Sequence, residues 1–183
     1  MTVPLYQQVN PISWIALAGF MGTGKSRVGS ELARRLHLDF VDTDRLIERI
    51  TSMTINSIFQ THGEQVFRDY ETEVIRRCLK LDKVVVSTGG GVVIRKINRE
   101  LLSSRGPVIV LSAKAETIFQ RTRKHKRPLI NTPNPMSEIR RLLSERQEAY
   151  NDIATLTIAT ENQGSHDVVN KIINGLTKLR LHS

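Results

Sequence analysis

Eight residues near the start of the chain have the types and spacing to hold a phosphate chain. Gly19-Phe20-Met21-Gly22-Thr23-Gly24-Lys25-Ser26 satisfies G-x-x-x-x-G-K-[ST]. It follows a short apolar run, Trp14 to Ala18, and precedes Val28, Leu32, Leu36 and Leu38 at roughly helical spacing. That is the strand-turn-helix context in which the pattern has a mechanism. The glycines let backbone N–H groups turn inward around a β-phosphate, and the helix N-terminus adds a positive dipole end. Lys25 reaches the β- and γ-phosphates, and the Ser26 hydroxyl reaches Mg²⁺. Gly22, Thr23, Gly24, Lys25, Ser26 and Arg27 are therefore the candidate nucleotide-binding residues, with ATP and Mg²⁺ as the expected cofactors. A plain glycine-rich turn is the competing explanation, and Lys-Ser in register between two suitable elements weighs against it. The glycine spacing differs from G-x-G-x-x-G, which disfavours a nicotinamide cofactor.

Three further groups could complete a reaction. Asp42 and Asp44 close a short strand-like segment, Asp39 to Asp42. One carboxylate could orient a Mg²⁺-bound water while the other holds and deprotonates an acceptor hydroxyl; capping of the next helix is the ordinary alternative. Arg68 has the geometry to grip a carboxylate bidentately, or it pairs with Glu71 on a helix surface. Gly89-Gly90-Gly91 ends the Val84–Val86 run, where missing side chains let a ligand approach the backbone.

Positioning these groups requires a scaffold that brings strand ends together. Apolar runs at Trp14–Ala18, Asp39–Asp42, Val84–Val86 and Pro107–Leu111 read as strands, separated by amphipathic segments. Two short helices are expected around Leu46–Ile50 and Ile55–Phe59, a longer one from Glu64 to Leu79, and another at the C-terminus through Val168, Ile172 and Leu176. Strands alternating with helices imply an α/β fold with a parallel sheet flanked by helices on both faces. In such sheets ligands bind beyond the carboxyl ends of the strands, where all four groups fall. Residues 121–135 are basic and proline-containing, and read as a mobile loop.

The chain has 183 residues, 39% of them hydrophobic and 25% charged, so one globular domain with its own core is expected. Residues 1–13 read as an N-terminal extension and 14–183 as the single domain. The extension has no Lys or Arg and no apolar core, so it is not read as a targeting signal. No apolar run suits a bilayer. A single cysteine, Cys78, excludes an internal disulfide and reads as a core residue. The five histidines, His37, His62, His125, His166 and His182, lack metal-ligand spacing. The net charge of +9 fits either nucleic acid or a small polyanion, and 5% aromatic content weakens the first. The expected setting is the cytoplasm, with a small-molecule partner, no nucleic acid and no membrane, in a monomer.

Together these residues resemble the shikimate kinase family. The likeness runs through the phosphate loop, Asp42-Thr43-Asp44 with Leu46-Ile47-Glu48, and Gly63-Glu64-x-x-Phe67-Arg68-x-x-Glu71. It continues through Thr88-Gly89-Gly90-Gly91, Arg121-Thr122, Arg127-Pro128-Leu129 and Arg146. The resemblance implies a P-loop three-layer fold like that of nucleoside monophosphate kinases, with a five-stranded parallel sheet, a substrate-binding segment at about 42–71 and a lid. It implies transfer of the ATP γ-phosphoryl group to the 3-hydroxyl of shikimate. Asp44, Arg68, Gly90 and Arg146 would then bind shikimate, with the two arginines on its carboxylate and Gly89 and Gly91 against the same ligand. Ser26 would be the direct Mg²⁺ ligand, with Asp42 and Ser87 acting through water. Arg127 would be the lid arginine over the phosphates, Arg121 would lie near the adenine, and Lys25, Asp44 and Arg127 would carry the chemistry. Two departures stand out. Gln147-Glu148-Ala149-Tyr150 follows Arg146 where the family often has Pro-Leu-Tyr, and the loop 160–164 lacks the arginine of several relatives. The alternatives are a gluconate or nucleoside monophosphate kinase, or a non-catalytic nucleotide-binding module. Intact Asp44, Arg68 and Arg146 weigh against the module.

Overall fold

The computed structural model describes residues 12–123 and 128–180. Five strands form one parallel sheet in the order β2-β3-β1-β4-β5. They are β1 (Trp14–Ala18), β2 (Asp39–Asp42), β3 (Val84–Ser87), β4 (Val108–Ser112) and β5 (Leu156–Ala159). Seven α-helices connect and follow them: α1 (Lys25–Leu36), α2 (Thr43–Thr51), α3 (Ile55–Cys78), α4 (Lys96–Arg105), α5 (Ala115–Thr122), α6 (Pro135–Ile153) and α7 (Ser165–Arg180).

The central strand β1 is buried along its whole length, and its five residues are all apolar, as both-face burial requires. The period-two alternation of the strands sorts side chains into two cores. Ile15, Leu17, Val85, Ile109 and Leu111 pack under α1 and α7. Trp14, Ala16, Val84, Val86 and Val108 face α3, α4 and α6. A third cluster, Phe20 with Ile118, Ile130, Ile139 and Leu142, supports the phosphate loop from below. With every strand parallel, the ends at Ala18, Asp42, Ser87, Ser112 and Ala159 share one edge of the sheet.

Several expectations shift in register. The fourth strand starts at Val108 rather than Pro107, because proline brings no N–H to the ladder; its carbonyl still accepts from Ala16 N at 3.1 Å. The helices expected on either side of Gly63 are one element, broken there by a left-handed glycine (φ 81°, ψ 171°). Helix α5 runs through Thr122, so Arg121 belongs to a helix and not to a loop. Residues 1–11 of the extension, residues 124–127 of the lid with Arg127, and residues 181–183 lie outside the described residues. Cys78 is fully buried, and burial pushes its thiol up to about 11, the behaviour of a core residue. Among the described residues no helix is long and apolar enough to cross a membrane.

Candidate active site

The phosphate loop forms where β1 ends. Gly22 and Gly24 take left-handed backbone angles (φ 77° and 93°), which a side chain would resist. Gly24 is also the N-cap of α1 and offers no capping side chain, and the first turn of α1 carries no acid. The helix therefore presents its leading N–H groups to an incoming anion. Thr23 is buried and closes the turn, donating from Oγ1 to Phe20 O at 2.7 Å. Lys25 curls into the loop, with Nζ donating to Gly19 O at 2.8 Å and Phe20 O at 2.9 Å.

Asp42 does two jobs at once. Its Oδ1 caps α2, accepting from Asp44 N at 3.1 Å and Arg45 N at 3.3 Å. Its Oδ2 accepts from Ser26 Oγ at 2.5 Å. The capping role and the site role are thus divided between two oxygens of one carboxylate. Ser87 lies opposite Asp42 in the β2–β3 register but is buried. The neighbouring Thr88, also buried, lines the cleft.

That cleft measures about 940 Å³ and brings together Gly22, Gly24, Lys25, Ser26, Arg27, Asp42 and Arg121. Arg121 reaches in from α5, donating to Gly22 O at 3.2 Å, Thr160 Oγ1 at 3.0 Å and Thr160 O at 2.8 Å. It ties the phosphate loop to the loop after β5, the rim where the resemblance puts the adenine.

A narrower cavity of about 70 Å³ adjoins the cleft and shares Met21, Asp44, Ile55 and Gly90 with it. Asp44, Arg68, Gly89, Gly90, Gly91 and Arg146 all line it, although they are scattered over a hundred positions of the chain. Ile55, Phe59, Phe67, Glu71 and Leu129 complete its wall. Space here is created by the missing side chains. A Cβ on Gly89 would lie 2.7 Å from Glu71 Oε1 and 2.8 Å from Asp44 Oδ1; one on Gly90 would lie 2.9 Å from Met21 N; one on Gly91 would fall on the Arg68 guanidinium.

The two arginines stand in different electrostatic situations. Arg68 is 4% exposed, and Nη1 meets Glu71 Oε2 at 2.9 Å while Nη2 meets Glu64 Oε1 at 2.8 Å. Burial opposes its charge, but Glu71 and Glu64 outweigh burial and hold its pKa above the ordinary value. Burial pushes the Glu71 carboxyl up, against the pull of Arg68, and its Oε1 has no hydrogen-bond partner among the described residues. Arg146 is 6% exposed, and among the described residues it has no carboxylate within ion-pair distance. Its Nη1 donates to Gly90 O at 3.2 Å, and its guanidinium lies 5.5 Å from the centre of the Phe20 ring. Burial, with Arg68 nearby, lowers its pKa.

Sequence reasoning missed the apolar wall, Glu64, Thr88 and Tyr150. Phe59 and Phe67 carry the same periodic signal as core residues, so nothing marks them as lining. Glu64 and Tyr150 were visible one helical turn from Arg68 and Arg146, the spacing at which helix side chains meet.

Known proteins resemble this chain in sequence and in fold. The shikimate kinase family model matches residues 21–177. The chain is 47% identical over 166 residues to a shikimate kinase of Deinococcus radiodurans, covering 91% of this chain and 84% of that one. It is 43% identical over 165 residues to a shikimate kinase of Symbiobacterium thermophilum, covering 88% and 95%. A shikimate kinase from Acinetobacter baumannii, solved in complex with shikimate, superposes with a TM-score of 0.92 at 37% identity, over 96% of this chain and 99% of that one. With residues 21–26 of the phosphate loop, the glycine-lined cavity and the two arginines inside the matched span, the chain belongs to the shikimate kinase family.

Proposed function

We propose that this enzyme transfers the γ-phosphoryl group of ATP to the 3-hydroxyl of shikimate, giving shikimate 3-phosphate and ADP. The observation that carries the reading is Arg146: a buried guanidinium without a carboxylate partner among the described residues, beside Arg68, in a cavity that also holds Asp44. A desolvated cation is costly unless an anion arrives to pair with it. A carboxylated, hydroxylated ring supplies that anion and offers its hydroxyls to Asp44.

Phosphoryl transfer depends on positioning and charge neutralisation more than on covalent chemistry. In this reading Lys25 leaves its own loop carbonyls for the phosphates, and the N–H groups of α1 cradle them. Arg68 and Arg146 fix the acceptor by its carboxylate, and Asp44 takes the hydroxyl proton. Ser26 and Asp42 form a hard-oxygen pair suited to Mg²⁺, with Ser87 a buried neighbour in register. Bound there, the ion supplies charge neutralisation at the phosphate oxygens. Arg127 keeps its assignment as the lid arginine, and Arg121 and Arg27 remain the nucleotide-side arginines.

The direct test is ADP release measured with and without shikimate, beside gluconate and nucleoside monophosphates. Strong stimulation by shikimate alone is expected; equal stimulation by gluconate or a nucleoside monophosphate would replace the reading with another kinase of this fold. Two substitutions probe the acceptor cavity. Asp44→Asn should keep most of the shikimate affinity and lose about 10²–10⁴-fold in kcat, because an amide still hydrogen-bonds but is a poor base. Gly91→Ala should raise the shikimate KM by roughly tenfold or more while sparing ATP, since its methyl group displaces the Arg68 guanidinium and an overpacked site costs about 1–3 kcal/mol. Unchanged shikimate kinetics in a folded Gly91→Ala protein would remove Arg68 from the acceptor site.

A further inference from the structure

Helix α6 carries Arg146 and Tyr150 four residues apart, so both side chains leave the same face and meet one group. That group is the Gly90 carbonyl. Tyr150 Oη donates to it at 2.5 Å and Arg146 Nη1 at 3.2 Å. A carbonyl oxygen has two lone pairs, and here both are engaged. Tyr150 is 4% exposed, and burial raises its pKa, so the phenol stays a donor. Gly90 sits where the acceptor cavity and the nucleotide cleft join, and a Cβ added there would lie 2.9 Å from Met21 N.

We propose that Tyr150 is a positioning residue for the acceptor site: its hydroxyl locks the Gly90 carbonyl, and that carbonyl sets the Arg146 guanidinium. Two features make the lock necessary. Arg68 is pinned by Glu64 and Glu71, whereas Arg146 has no carboxylate partner among the described residues and takes its aim from a neutral carbonyl. Gly90 is also flanked by glycines, so little steric resistance opposes rotation of its peptide group. Without the phenol, rotation of the Gly90–Gly91 peptide would turn an N–H toward Arg146 and release the guanidinium.

The proposal rests on the reading that Arg146 holds the acceptor carboxylate, and a double-mutant cycle separates the two. Tyr150→Phe keeps the ring and removes only the donor. It should raise the shikimate KM about 5- to 20-fold, change kcat and the ATP KM less than 2-fold, and leave Tm near the parent value, as expected for loss of one aligned contact. In an Arg146→Ala background the same substitution should add less than 2-fold to the shikimate KM, because nothing is left to aim. An equal rise in both backgrounds, no rise in the parent, or a Tyr150→Phe protein that does not fold would overturn the proposal. An Arg146→Ala protein with parental shikimate KM would instead overturn the carboxylate reading beneath it.

Discussion

A Lys25→Ala protein is expected to fold as the parent does and to lose phosphoryl transfer by at least about 10²–10³-fold, the usual consequence of removing one pre-aimed group from a developing charge. The structure explains why the fold should survive. Lys25 donates to Gly19 O and Phe20 O, both backbone carbonyls of its own loop. Phe20 O keeps Thr23 Oγ1 as a donor at 2.7 Å when the ammonium is gone. Losing two such contacts costs on the order of 1–3 kcal/mol, which a domain with two apolar cores can absorb. The chemistry has no comparable reserve. The glycines and the α1 N-terminus still bind phosphate, but no other described side chain of the loop carries a positive charge toward its centre. ATP KM should therefore rise modestly while kcat collapses. Near-normal turnover in a folded Lys25→Ala protein would sink the phosphate-loop assignment.

Replacing either acceptor arginine with alanine should raise the shikimate KM by roughly 30-fold to several-thousand-fold, since a charge-assisted contact in a desolvated site is worth about 2–5 kcal/mol. ATP KM should hardly move. Arginine-to-lysine changes should rescue only part, because an ammonium lacks the planar fork. The two variants should part company in stability. Arg146→Ala removes a cation that has no carboxylate partner among the described residues, so its Tm should stay close to the parent's. Arg68→Ala strips the counterion from Glu71, which is fully buried, and breaking a buried pair from one side costs about 3–5 kcal/mol. Burial already pushes Glu71 up, and losing Arg68 removes the pull in the other direction. Folded Arg68→Ala protein then binds more protons at Glu71 than the unfolded chain does, so its stability should fall as pH rises through the range between the two pKa values. Thermal melts at pH 5 and pH 8 should show the larger Tm deficit at the higher pH. Parental shikimate binding in both variants would end the carboxylate-clamp reading.

Legibility differed sharply between elements. The phosphate loop was readable from eight consecutive residues because backbone conformation, dipole and lysine act within one turn, and local chemistry leaves a local pattern. The strands β1 and β3 were readable for the same reason: a strand buried on both faces must be apolar along its length, whereas the half-buried edge strand β2 showed only as Phe40-Val41 between two aspartates. Strand β5 was legible only as a strand-like segment without bounds, since Leu156–Ala159 is a short edge segment of half-buried and exposed residues. Helix α4 was also missed; it buries only Asn98 and Leu102, too few for an apolar period. For Arg68, two readings stood open, a surface pair with Glu71 or a substrate grip. Burial decided that the pair exists but is no surface pair, and that it faces the glycine-lined cavity. By itself the sequence determined which residue types could do chemistry and that they fall at strand ends. Only the tertiary structure decided that Arg68 is counterbalanced, that Arg146 is not, and that Tyr150 shares the carbonyl that aims it. Ion pairing and burial depend on what other elements bring within a few ångströms, and no spacing along the chain encodes that distance.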